Sequence, residues 1–90
     1  MPLFVKFGTL KPDVKPEDLP AIDAKFSQWL KDIAATGKYI ASGGFETRAQ
    51  GMTILETDTR EEAMKLFTED PFNELLSSWT VHQWTLFKTK

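Results

Sequence analysis

The run from Gly51 to Trp84, GMTILETDTREEAMKLFTEDPFNELLSSWTVHQW, limits the fold more than any other part of the chain. Residues 51–57 are rich in β-formers and read as a strand. Thr59-Arg60-Glu61-Glu62 has the form of a capping box, with Thr59 as N-cap and Glu62 at the third helical position. The helix it opens buries Ala63, Leu66 and Phe67, with Met64 beside them. Asp70-Pro71 limits that helix, because the residue before a proline disfavours helical backbone. A further short helical turn spans Phe72–Ser78 and carries Leu75 and Leu76. Residues 79–88, WTVHQWTLFK, form the last strand. Alternation puts Val81, Gln83, Thr85 and Phe87 on one face, and Thr80, His82, Trp84, Leu86 and Lys88 on the other.

The first half repeats this plan. Leu3–Leu10 is a strand, with Leu3, Val5 and Phe7 on one face and Phe4, Lys6, Gly8 and Leu10 on the other. After a loop containing Pro12, Asp18 is placed to cap a helix, and Pro20 is tolerated in its first turn. Leu19, Ile22, Phe26, Trp29, Leu30 and Ile33 recur at spacings of three and four, one apolar stripe on a helix ending near Thr36. Gly37 suits the left-handed stop. Residues 38–45, KYIASGGF, give a short strand, and the polar loop Glu46–Gln50 carries Arg48. The order β-α-β-β-α-β, with right-handed crossovers, is α+β and ferredoxin-like: a four-stranded antiparallel sheet with two helices on one face. The uncovered face also carries apolar residues, so the sheet-to-sheet homodimer is the expected partner.

The chain has 90 residues, enough for a single domain over 1–90. Three Trp, seven Phe and one Tyr are many to hide in so small a core, which also favours a partner subunit. A formal charge of −2 with scattered basic residues argues against nucleic acid. The absence of Cys removes thiol nucleophiles and thiolate ligands, and one His cannot build a His-rich metal site, so neither metal nor cofactor is expected. No stretch approaches a membrane span and the N-terminus lacks a signal-peptide pattern, so a cytoplasmic location is the expectation.

On its residues the chain resembles the dimeric α+β barrel superfamily, and within it the YCII-related family. The similarity rests on the Gly51-led strand, the capped helix with Glu61-Glu62-Ala63, Asp70-Pro71-Phe72, and the strand closing on Trp84. Phe26, Leu30 and Ile33 leading to Gly37 and Ala41-Ser42-Gly43-Gly44 extend it to the first half. The chain is more faintly similar to muconolactone isomerases and small polyketide cyclases. The YCII resemblance implies a first-helix His paired with an Asp, but its position here is Phe26, which moves no proton. That dyad does not carry over. The Gly that usually follows the Asp-Pro-aromatic motif is also missing, with Glu74-Leu75-Leu76 in that region.

Among single residues, His82 is the natural acid or base, because histidine ordinarily titrates near neutrality; a hydrogen-bonded edge or interface residue is the plainer reading. Tyr39 has a phenolic donor for a bound carbonyl, and Arg48 a fork for a carboxylate. Glu56 is a candidate base, while Asp58 supports the following helix N-terminus. Trp29 and Trp84 are candidate walls of an apolar pocket. Phe26 reads as core, Lys6 and Lys88 as solvated strand residues, and Gly43-Gly44 as a bulge or tight strand end. Three functions stay open. One is a small-molecule-binding homodimer running a cofactor-free isomerisation, cyclisation or lactone step on an apolar or aromatic ligand. The others are a non-catalytic sensor or accessory protein, and a cofactor-independent monooxygenase.

Overall fold

The first strand, β1 (Leu3–Leu10), alternates strictly in burial: Phe4, Lys6 and Gly8 are buried, whereas Leu3, Val5 and Phe7 are half-buried. In this computed structural model, which describes residues 2–47 and 49–89, β1 is a central strand. The remaining strands are β2 (Tyr39–Gly44), β3 (Gln50–Glu56) and β4 (Leu76–Trp84), in the order β2-β3-β1-β4 with every neighbouring pair antiparallel. Helix α1 (Leu19–Ala34) joins β1 to β2, and α2 (Arg60–Thr68) joins β3 to a 3-10 turn, Pro71–Leu75, that leads into β4. This is the ferredoxin-like α+β architecture that the pattern predicts.

The core lies between the helices and one sheet face. Phe4 and Leu55 from the sheet, Ile33 from α1, and Ala63 and Phe67 from α2 form its buried cluster. Both helices therefore cover the face that carries Phe4 and Lys6. The opposite face carries Leu3, Val5 and Phe7, with Ile54 and Met52 directly across on β3. No helix among the described residues lies over it.

Local chemistry explains the helix ends. Thr59 caps α2, its hydroxyl accepting the Glu62 amide at 3.1 Å. The Glu62 carboxylate turns to Lys38 at 2.6 Å. Gly37 sits at φ 78° after α1, the left-handed stop expected of it. Asp18 does not cap α1: its backbone is helical, it ends a 3-10 turn at Pro16–Asp18, and its carboxylate accepts the Lys15 amide at 2.9 Å. The preceding proline tightens the entry, so Asp18 bonds one turn earlier than the pattern suggests.

The last strand also differs from expectation, beginning at Leu76 and ending at Trp84. Its extent is set by its partner: Leu10 pairs with Leu76 and Leu3 with Trp84, and beyond Leu3 no β1 residue remains to pair. Two extra residues bend the sheet. Ser77 is unpaired opposite Thr9 and Leu10, and Ile40 is unpaired between Tyr39 and Ala41. The Ile40 bulge puts Tyr39 and Ser42 on the same face, and Tyr39 Oη lies 2.8 Å from Ser42 Oγ. None of the helices among the described residues is long and apolar enough to cross a membrane.

Candidate functional site

A cleft of about 460 Å³ opens between the N-terminal half of α1, the helix-covered sheet face and the Asp70-Pro71-Phe72 turn. The strand register builds its floor. Ser42, Thr53 and Lys6 are cross-strand neighbours on β2, β3 and β1, and they form a polar row. Two residues along each strand, Gly44, Gly51 and Gly8 form a second row on the same face. The walls are Leu19, Asp23 and Phe26 from α1, with Phe72 and Leu76 opposite. Phe26 meets Phe72 edge to face at 4.9 Å and stacks against Trp29 at 5.7 Å. Such a volume, mostly apolar with a few convergent polar groups, has the character of a small-molecule site.

The charged centre of the cleft is an ion pair that the sequence reading did not single out. Lys6 Nζ lies 2.7 Å from Asp70 Oδ2, and both side chains are nearly sealed from solvent, at 3% and 4% exposure. Lys6 also donates to Asn73 Oδ1 and lies 4.7 Å from the Trp79 ring centre, at cation–π distance. Asp70 Oδ1 accepts the Phe72 amide at 2.8 Å, and Asn73 Nδ2 donates to the Phe67 carbonyl at 3.0 Å. The proline after Asp70 fixes the turn that aims its carboxylate. Lys6 is thus the opposite of a solvated strand residue. Burial lowers its proton affinity below the usual lysine value, and the hydrogen bond and charge of Asp70 oppose that shift. The signal for it was present in the alternation, since Lys6 shares a face with Phe4 and Gly8. The partner was not, because Asp70 lies 64 residues away.

The residues singled out from sequence are scattered by the fold. His82 pairs in register with Val5, so it lies on the open sheet face, exposed, with Nε2 3.1 Å from Thr80 Oγ1. Trp84, opposite Leu3, shares that face and is 45% exposed. Glu56, also opposite Leu3 but on β3, is there too. All three are on the far side of the sheet from the cleft. Tyr39 reaches the cleft indirectly, through Ser42, and otherwise packs on the core. Trp29 backs the wall that Phe26 forms. Arg48 lies outside the described residues. Phe26, read as core, is half-buried and lines the cleft. Gly43-Gly44 ends β2 without a bulge of its own. No cluster of three metal-ligating side chains occurs among the described residues.

Several solved structures share this fold. The dehydrochlorinase TftG from Burkholderia phenoliruptrix AC1100, which acts on 5-chloro-2-hydroxyhydroquinone and was solved with 2,5-dihydroxybenzoquinone, matches with a TM-score of 0.73 at 19% identity, covering 92% of this chain and 93% of that one. Protein Atu4242 from Agrobacterium tumefaciens matches at 0.64 and 12% identity, covering 94% and 92%. SnoaB, a cofactor-independent oxygenase from Streptomyces nogalater, matches at 0.56 and 11% identity, covering 98% and 94%. At these identities the likeness concerns the fold. No protein of curated function matches the sequence. The profile of the YCII-related domain matches residues 3–85, and the chain belongs to that family.

Proposed function

We propose that this protein binds a small, partly apolar molecule in the cleft between α1 and the sheet and carries out a cofactor-free acid–base step on it, with Lys6 and Asp70 handling the proton. The buried ion pair at the floor of an apolar cleft carries this reading. Asp70 and Asn73 take two of the three ammonium donors, which leaves one without a hydrogen-bond acceptor among the described residues for a ligand oxygen to engage. An oxygen that gains negative charge during isomerisation, cyclisation or lactone opening is stabilised by that donor. Burial has already reduced the proton affinity of Lys6, so transfer to such an oxygen costs less than from a solvated lysine. Asp70 keeps the amine cationic and in place until then. The functional unit is a homodimer joined through the open sheet face, a reading supported by the apolar residues that no helix covers there.

One observation favours a second reading. Phe26 stands where the family resemblance puts a histidine, so the same cleft can serve a non-catalytic sensor or accessory protein. Titration of the wild type by amide NMR with lactones, phenols and quinones, together with turnover measurements, tests these readings. Shifts at cleft residues with turnover that Lys6→Met abolishes support catalysis. Shifts without turnover support the binding module, and oxygen uptake with a phenol redirects the reading to a cofactor-independent oxygenase. No shift at any cleft residue refutes a ligand site there.

A further inference from the structure

The glycine row on the cleft floor has an uneven structural justification. A glycine inside a strand is less favourable than alanine, so each needs a reason. At Gly8 the reason is packing: a Cβ there would come within 2.9 Å of a Leu76 methyl, and Leu76 occupies the space instead. At Gly51 it is the approach of β2, because a Cβ would lie 3.0 Å from the Gly43 carbonyl oxygen. At Gly44 no such reason exists. Its Cβ would meet nothing closer than the Gln50 carbonyl oxygen at 3.9 Å, and its backbone is not left-handed. The direction in which that side chain would project is the cleft, since Gly44 shares the face of Ser42 and lines the same space.

The geometry points to Gly44 and Gly51 as a bare backbone platform that selects flat, unsaturated rings, with ring oxygens directed to the polar row of Ser42, Thr53 and Lys6. The inference rests on the ligand site proposed above and specifies its ligand class. Bare peptide planes present a flat surface on which an aromatic or quinoid ring lies in full contact, whereas a puckered saturated ring touches it only in part. Phe26 and Phe72, in edge-to-face contact, form an apolar wall of the same cleft. A methyl group at Gly44 raises the floor with no contact closer than the Gln50 carbonyl oxygen at 3.9 Å, so selectivity and stability are separable at this position.

Hydroquinone under nitrogen and its saturated analogue quinitol are the probes, titrated into the full-length wild type and Gly44→Val and followed by amide shifts. The expected result is that hydroquinone shifts Ser42, Gly44 and Gly51, that quinitol binds more weakly by on the order of tenfold, and that Gly44→Val loses a similar factor for hydroquinone with a melting temperature equal to or above that of the wild type. Equal binding of the two probes, or undiminished hydroquinone binding by Gly44→Val, overturns the platform while leaving the cleft as a ligand site. Failure of hydroquinone, quinitol and the wider lactone and phenol panel alike to shift cleft residues overturns the ligand site itself, and the platform with it.

Discussion

Asp70→Asn removes the charge of the buried pair. The amide keeps the size of the carboxylate and can still accept the Phe72 amide through its oxygen, so the turn retains its cap. What changes is that the Lys6 ammonium, 3% exposed, loses its counter-ion, faces the amide NH2 in place of Oδ2, and keeps only Asn73 and the Trp79 ring. Removing one member of a buried pair typically costs about 3–5 kcal/mol. An upper limit follows independently. Lys6 can escape the cost by releasing its proton, which from the ordinary lysine value of 10.5 costs about 1.4 kcal/mol per pH unit, hence roughly 5 kcal/mol at neutral pH. The two estimates agree, and the second has a sign. The folded-state pKa of Lys6 is already lowered, and without Asp70 it falls further. The unfolded chain then binds the extra proton between that lowered value and 10.5, so stability rises with pH through this window. Urea unfolding should show a midpoint loss on the order of 2 M for Asp70→Asn near neutrality, shrinking as pH approaches 10.5. Lys6→Met added to Asp70→Asn should recover much of the loss, because an apolar side chain then fills an apolar site. A change under about 0.5 kcal/mol, or a deficit that widens with pH, would refute the buried-pair reasoning.

Phe67→Ala, at a site with 0% exposure, should cost about 3–5 kcal/mol, and Phe26→Ala roughly half as much because one side of that ring faces the cleft; equal losses in chemical denaturation would return Phe26 to the core. Gly37→Ala should destabilise by about 1 kcal/mol, since φ 78° strains any side chain, and an unchanged melting temperature would contradict that backbone geometry. The proposed homodimer predicts a sedimentation coefficient of a dimer throughout the micromolar range, and Val5→Asp on the open face should yield a folded monomer; a wild-type monomer at every concentration would rule out the sheet-to-sheet partner.

Much of the fold was legible because it is written locally. Alternation in Leu3–Leu10 fixed the two faces of β1, and the Thr59 cap and the Gly37 stop bounded their helices as the residue types demand. The site was less legible because it is assembled across the chain. Lys6 looks like a solvated lysine until Asp70 is brought beside it, and no short-range pattern reports a pairing at that separation. His82 shows the same limit. Alternation put it with Trp84 on one face, but which face is decided by the β1–β4 register, where it falls opposite Val5. The start of β4 at Leu76, earlier than the pattern predicts, has a similar cause, since the Leu10–Leu76 pairing and not local propensity recruits Leu76 into the sheet.

The unpaired Ile40 has a consequence for how such a cleft can vary over time. Downstream of the bulge, β2 presents Ser42 and Gly44 to the cleft and Gly43 to the open face. Deleting Ile40 would leave every later pairing as it is, because Tyr39 and Ala41 already oppose Leu55 and Ile54, which are neighbours on β3. Ser42 and Gly44 would keep their side of the sheet, since the bulge absorbs the extra residue. A single-codon deletion there is therefore nearly silent in the binding floor. Between two relatives that differ in length at this point, the residues to compare are those that share a β3 partner, not those at equal distance along the chain from Tyr39.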